Sequence, residues 1–258
     1  MKLLAIVGTE RKIGNSILAA KYISKQLGSD LEILRLTKMD IQPCKACYAC
    51  LFGEECKIDD DVNDILKKID GSDAILIASP VYILDATSKI KALMDRGFMV
   101  LPYLESYSKK PCVILTFHGF RDMVGWASAT HLTLARFFGF DVLANLEVNA
   151  ALPAEIFVKE ENIRKLDLAV KLLKEGGRHR EPDQCPVCFG NIFRIENGNL
   201  ICPVCNSKLD FELNVIEASN RFTAEWFVKH FGEELRGLKE KFVAEREKLM
   251  EAAKIVQD

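Results

Sequence analysis

Eight of the nine cysteines in this 258-residue chain fall into two tight groups of four. The first reads Cys44-x2-Cys47-x2-Cys50-x5-Cys56. Four thiols within thirteen positions cannot all bury on one face. Runs with two-residue gaps suit a cubane, because each turn of loop presents one sulfur to a corner iron. Zinc more often takes two separated pairs with a hairpin between them. The spacing therefore favours a 4Fe–4S cluster over a zinc site or a set of redox-regulatory thiols. Pro43 stiffens the approach to Cys44.

The second group is two knuckles, Cys185-Pro186-Val187-Cys188 and Cys202-Pro203-Val204-Cys205, with thirteen residues between them. Asn197-Gly198 in that spacer is a hairpin turn signal. Two knuckles joined by a hairpin describe a zinc ribbon, a closed tetrathiolate with a structural role. So small a unit has no core of its own, so the metal supplies its folding energy, on the order of 10 kcal/mol. His179 lies near enough to compete as a ligand, but four cysteines suffice. Iron is the alternative, as in rubredoxins, which resemble the knuckles but hold their pairs farther apart. Cys112, the ninth, reads as a small core residue. An odd count without a secretion signal argues against a disulfide framework.

Three further segments have residues suited to a ligand. Gly8-Thr9-Glu10-Arg11-Lys12-Ile13-Gly14-Asn15-Ser16 leads into a helical pattern. Unpaired N–H groups and the dipole at a helix start favour an anion. The loop lacks Gly-Lys-Ser/Thr and is not GxGxxG, so neither a nucleoside-triphosphate loop nor a dinucleotide fingerprint is present. Its hydroxyls and amides suit a phosphate monoester; the plain alternative is an ordinary strand-to-helix turn. Ser79-Pro80-Val81-Tyr82 ends a predicted strand, and Pro80 should take the chain out of the sheet. Tyr82 could stack on a planar ring there or fill the core. Phe117-His118-Gly119-Phe120 ends another strand, where Gly119 permits close approach. His118 could shuttle a proton or be merely structural.

These loops need a scaffold. Predicted strands lie at Lys2 to Val7, Leu31 to Leu36, Ala74 to Ala78, Cys112 to Phe117 and Val142 to Val148. Predicted helices lie at Gly14 to Leu27, Val62 to Ile69, Ser88 to Arg96, Gly125 to Phe138 and Glu160 to Lys174. Apolar strands alternating with amphipathic helices imply a parallel sheet covered on both faces. Five such strands fit the flavodoxin-like, doubly wound α/β order 2-1-3-4-5. We expect this domain over residues 1–176 with the first cysteine loop at 43–57, a linker at 177–184, the zinc-ribbon-like module at 185–210, and a C-terminal helical segment at 211–258. A long helix should start at the N-cap Thr223. Phe227, Leu235, Leu238, Phe242 and Leu249 should dock its apolar face on the core or on another subunit.

The net charge is −2, and no long basic stripe marks a nucleic-acid partner. No apolar stretch reaches the roughly 20 residues of a membrane helix. Glu10, Arg11 and Lys12 cut short the apolar start, unlike a signal peptide. A cytoplasmic location is expected.

The segments GTERKIGNS (8–16), SPVY (79–82) and KIKALMDR (89–96) resemble the NADPH-dependent FMN reductase and iron–sulfur flavoprotein superfamily, over roughly the first 150 residues. The compact cysteine spacing is also the motif of iron–sulfur flavoproteins. Thr9 stands where the family's phosphate loop carries Ser. The resemblance implies that Thr9, Arg11, Gly14, Asn15 and Ser16 hold the FMN phosphate. It also implies that Ser79, Pro80, Val81 and Tyr82 line the isoalloxazine, with His118 and Gly119 on the third loop. Tyr82 and His118 are the candidate catalytic groups. Ile83-Leu84-Asp85 replaces a small or Gly-containing turn and bears on the pocket's width. The implied function is electron transfer between a one-electron donor such as ferredoxin and a two-electron acceptor. The rivals are an NAD(P)H-dependent FMN or quinone reductase, a pure electron carrier and a redox sensor. Relatives form dimers and tetramers, so a homodimer or homotetramer is expected, with Phe98 to Tyr103 at an interface.

Overall fold

A computed structural model describes residues 1–256. β1 (Lys2–Val7) is buried from Leu3 onward, as befits a central parallel strand. α1 (Asn15–Leu27) follows and stops where Gly28 adopts φ 61°. Next come β2 (Asp30–Arg35), α2 (Val62–Asp70), β3 (Ala74–Tyr82), β4 (Asp85–Ala86) and α3 (Ser88–Asp95). A 3-10 segment (Gly97–Tyr103) leads to α4 (Leu104–Tyr107), β5 (Pro111–His118), α5 (Ala127–Phe137), β6 (Asp141–Asn149) and α6 (Glu160–Glu175). The parallel strands lie in the order β2-β1-β3-β5-β6, the flavodoxin-like doubly wound sheet expected from the sequence. β4 pairs antiparallel with the end of β3.

Alternate residues of β1 serve two cores. Leu4 and Ile6 join the layer formed with α2, α3 and α5. Leu3, Ala5 and Val7 join the layer formed with α1 and α6. Each fully buried Leu or Ile contributes roughly 1.5–3 kcal/mol, which makes the sheet a rigid base for the loops at its carboxyl edge. Pro80 pairs with Phe117 at the end of the parallel β3–β5 ladder. The strand then continues for Val81 and Tyr82, paired with Ala86 and Asp85. The proline thus ends the parallel ladder without ending the strand.

After α6 the chain returns to the sheet, where the His179 N–H donates to the Leu143 carbonyl (2.9 Å). β7 (Arg194–Glu196), β8 (Asn199–Ile201), β9 (Lys208–Leu209) and β10 (Val215–Glu217) form an antiparallel sheet in the order β10-β9-β8-β7. Asn197 and Gly198, both with positive φ, make the β7–β8 turn. The buried side of this module shares the α2–α3–α5 core through Phe189 and Leu209.

The Thr223 hydroxyl accepts from the Trp226 N–H (3.2 Å), capping α7 (Ala224–Phe227). A π-helical segment (Val228–Glu234), α8 (Leu235–Ala244) and α9 (Arg246–Ala253) continue the run. Phe227 and Phe231 are buried, but Leu238, Phe242 and Leu249 are exposed. Only the first turns of the expected apolar face therefore meet the core; the run leaves it beyond the π-helical segment. Phe98 to Tyr103 also departs from expectation. Met99 and Val100 are buried, and Phe98 packs on Tyr48 and Phe231, so much of this stretch is covered by the chain itself. Among the described residues, no helix is long and apolar enough to cross a membrane.

Candidate functional site

The carboxyl ends of β1, β3 and β5 border a cavity of about 300 Å³. Its polar side is the loop between β1 and α1. Gly14 is the N-cap of α1 and brings no side-chain cap, and no acidic residue occupies the first turn. The first amides of the helix therefore remain available to an anion. Thr9 is buried, and its Oγ1 accepts from the Arg11 N–H (3.2 Å), which curls the loop. Asn15 Nδ2 donates to the carbonyls of Ala150 and Leu152, 3.0 Å each. Its Oδ1 is buried and has no partner. The free helix amides can donate to an anion, whereas the unpaired Oδ1 is an acceptor that calls for a donor such as a ligand hydroxyl.

Gly8 lies under the loop. A Cβ there would stand 2.4 Å from Thr87 Oγ1 and 2.5 Å from Ser79 Oγ, so any side chain would have to displace both hydroxyls. Ser79 is fully buried and lies outside the cavity lining.

The opposite wall is the β3–β4 hairpin, with Pro80, Val81 and Tyr82, then Ile83 and Leu84 at its turn. Both turn residues have positive φ, 49° and 62°. Such turns ordinarily carry Asn-Gly, and a β-branched residue there is an outlier. The turn is held from outside. The Trp126 N–H donates to the Leu84 carbonyl (2.7 Å). Gly125, with φ 58°, has no room for a side chain, since an added Cβ would lie 2.0 Å from the same oxygen. Phe117, Gly119, Phe120, Met123, Ala150 and Ala151 complete the lining. Nine of the eleven expected cofactor residues thus border one cavity, with Ser79 and His118 as the exceptions. His118 faces a separate polar cavity with Arg121, Glu147 and Lys165. Its Nδ1 donates to the Phe120 carbonyl (3.0 Å), and burial lowers its pKa. Sequence reasoning named Phe117 and Phe120 without giving them a role, and missed Met123, Ala150 and Ala151. The one available signal was their position just beyond strand ends.

Cys44, Cys47, Cys50 and Cys56 border a cavity of about 100 Å³ between β2 and α2, together with Arg96, Phe98 and Met99. Positive φ at Ala46, Tyr48 and Gly53 coils the loop. Buried Leu51 anchors it, and Tyr48 packs edge-on against Phe98. The Ala46 N–H donates to Cys44 Sγ (3.4 Å) and Arg96 Nη2 to Cys56 Sγ (3.3 Å). Burial and the neighbouring thiols push the Cys50 pKa up to about 11.

The second group is geometrically different. The sulfurs of Cys185, Cys188, Cys202 and Cys205 are buried and all lie within 4.8 Å of one another. Cys185 and Cys205 are 3.7 Å apart, Cys188 and Cys202 3.5 Å. Thiolates about 2.3 Å from one tetrahedral ion stand about 3.8 Å apart, so these four fit a single metal ion. Each knuckle is followed by a residue with positive φ, Phe189 or Asn206. The first group does not meet that 4.8 Å limit among the described residues. Sulfurs spread around a cavity fit a cluster, which interposes its own atoms between its ligands. The C-terminal group is fixed to the sheet. Arg136 of α5 donates to the Cys188 carbonyl (3.3 Å), Asn145 of β6 to the Phe189 carbonyl (3.1 Å), and Gln184 to the Asn145 carbonyl (2.6 Å).

The family model described as NADPH-dependent FMN reductase matches residues 1–152. An iron–sulfur flavoprotein of Methanosarcina thermophila is 36% identical over 103 residues, 39% of this chain and 54% of that protein. One from Archaeoglobus fulgidus is 40% identical over 102 residues, 38% of this chain and 50% of that protein. The chain thus spans about half the length of these curated relatives. A solved structure described as a flavone reductase aligns over 100% of this chain and 98% of its own, with TM-score 0.74 and 19% identity. The flavoenzyme NAD(P)H:(acceptor) oxidoreductase FerB of Paracoccus denitrificans aligns over 67% of this chain and 95% of its own, with TM-score 0.51 and 18% identity. At such identities these structures speak for the fold alone.

Proposed function

The chain belongs to the NADPH-dependent FMN reductase family, a family of flavin-dependent oxidoreductases within the superfamily that includes the iron–sulfur flavoproteins; from that premise we propose that it is an FMN- and 4Fe–4S-containing electron-transfer oxidoreductase. It exchanges electrons between a one-electron donor such as a ferredoxin and a two-electron acceptor. The observation that carries this reading is the pairing, in one domain, of a cavity at an uncapped helix start with a second cavity bordered by four cysteines.

FMN, when bound, supplies chemistry in steps of one or two electrons. The residues do the holding. The first amides of α1, with Thr9, Arg11, Gly14, Ser16 and the backbone N–H of Asn15, bind the phosphate. Val81, Tyr82 and Gly119 border the ring. Cys44, Cys47, Cys50 and Cys56 ligate the cluster, with Phe98 and Met99 lining the same cavity. Cys185, Cys188, Cys202 and Cys205 hold zinc in a structural role, for which their close tetrahedral spacing is the support. His118 faces away from the cavity and makes no contribution to ring chemistry on this reading, which leaves Tyr82 as the candidate proton donor at the ring.

A second reading is an NAD(P)H-dependent FMN or quinone reductase. Its support is the apolar, exposed rim of the cavity at Tyr82, Ile83, Phe120 and Met123, which suits a planar ring stacked above the flavin. The same rim, extended by Trp126, suits coverage by a second copy in a homodimer or homotetramer. Light scattering tests this assembly, and a monomer at micromolar concentration overturns it.

The deciding experiment is anaerobic purification followed by metal analysis and absorption spectra before and after reduction. The expected result is flavin bands over a broad background that bleaches on reduction, with about four irons and about one zinc per chain. Flavin bands without iron would overturn the cluster reading and leave the NAD(P)H-dependent reductase.

A further inference from the structure

Arg96 follows α3, and its side chain is only 1% exposed. A buried guanidinium needs partners on every side. It is ion-paired with Asp60, whose side chain is itself fully buried. It donates to the Gln42 carbonyl (3.1 Å), and Nη2 lies 3.3 Å from both Cys56 Sγ and Met99 Sδ. Asp60 also accepts from the Gln42 N–H (2.9 Å). Gln42 precedes the first cysteine and Asp60 follows the last. One cation therefore ties the neck of the loop and keeps a donor on a ligand sulfur. Among the described residues, no other charged side chain outside the cysteines hydrogen-bonds a sulfur of this group.

We propose that Arg96 sets the reduction potential of the cluster held by Cys44, Cys47, Cys50 and Cys56, and that Asp60 sets how much of the Arg96 charge the cluster feels; this rests on the cluster reading above. One-electron reduction adds negative charge that the ligand sulfurs share. A hydrogen bond to sulfur and a fixed cation favour the reduced form, so both raise the potential. The guanidinium keeps its proton throughout, so one electron enters and no proton is transferred. Asp60 opposes the effect by neutralising part of the cation, and burial keeps water from screening either charge.

The test is a redox titration of the full chain, purified without oxygen and followed by electron paramagnetic resonance, for wild type, Arg96→Gln, Arg96→Lys and Asp60→Asn. In Arg96→Gln the reduced-to-oxidised ratio at a fixed potential should fall on the order of tenfold, a shift of about 59 mV for one electron. Arg96→Lys keeps the cation but loses the fork, and should shift less in the same direction. Asp60→Asn should shift upward. Opposite signs at Arg96 and Asp60 support the assignment; shifts of one sign, or none, overturn it. If Arg96→Gln does not retain a cluster, the signs in Arg96→Lys and Asp60→Asn decide. Loss of the cluster in all three variants with flavin still bound also overturns it, because Arg96 would then be only a staple. A wild-type protein with no such resonance overturns the cluster reading itself, a failure distinct from that of the Arg96 assignment.

Discussion

Asn15 separates the scaffold from the ligand at the proposed phosphate site. Its two amide hydrogens join α1 to the chain beyond β6, at Ala150 and Leu152. Asn15→Ala removes both bonds and leaves a buried carbonyl unpaired. At about 1 kcal/mol per bond plus part of the orphan's desolvation cost, the loss is about 2–3 kcal/mol. For a chain of this size that lowers Tm by about 5–10 °C. Helix amides remain in Asn15→Ala, so FMN affinity should fall only several-fold, through displacement of the Ala150–Leu152 wall. Asn15→Asp loses the same two donors and adds a carboxylate. At about 4 Å and an effective dielectric of about 20, a charge pair is worth about 4 kcal/mol. FMN binding should then weaken roughly 100- to 1,000-fold. Fluorescence titration of the flavin-free protein measures both variants, with riboflavin as the phosphate-free control. Riboflavin should respond to the two variants alike. If Asn15→Asp weakens FMN no more than riboflavin, the phosphate does not sit at this helix start and the reasoning fails.

Three other perturbations test other parts of the molecule. Chelation of the Cys185–Cys205 metal removes on the order of 10 kcal/mol of folding energy, comparable to the whole stability of a domain; hydrogen exchange should rise in residues 185–217 and also in α5, which Arg136 ties to the module. Replacing Ile83-Leu84 with Asn-Gly relieves two strained residues, about 1–3 kcal/mol each at most, and should raise Tm by several degrees, checked by calorimetry. His131 is fully buried with Nε2 unpartnered, and burial lowers its pKa from 6.5 to about 4. The unfolded chain then binds the proton first, so stability is full above pH 6.5 and falls by about 3 kcal/mol on the way to pH 4; His131→Leu should flatten urea midpoints over that window.

How much of this was legible in the sequence depended on how local the cause was. β1 could be read because apolar residues at successive positions require cover on both faces. The start of α1 could be read from Gly14-Asn15-Ser16, and the β7–β8 turn from Asn197-Gly198. The β3–β4 turn could not, because Ile83 and Leu84 are poor turn residues. Its conformation is imposed by Gly125 and Trp126, some forty positions away. The side of β5 that His118 faces was equally hidden, since a strand end does not announce which loop will cover it. Arg96 reads only as the last residue of a predicted helix. It is buried among Asp60, Gln42, Cys56 and Met99, which come together only in the fold. The C-terminal pattern was periodic enough to predict a helix, but periodicity does not reveal where a helix leaves its core.

The α3 helix links the two proposed redox sites. It starts beside Thr87, whose hydroxyl crowds Gly8 beneath the proposed phosphate loop, and runs to Arg96 on Cys56. At eight residues it is about 12 Å long. Ile90 and Leu93 are fully buried in the layer it shares with α2 and α5, so the helix cannot slide without opening that core. The flavin and cysteine cavities share no lining residue, yet one packed helix fixes their separation. A large-to-small change at Leu93 costs about 2–5 kcal/mol and would loosen both ends together. Flavin affinity and cluster retention should therefore decline in parallel, whereas a change at Asn15 affects the flavin alone.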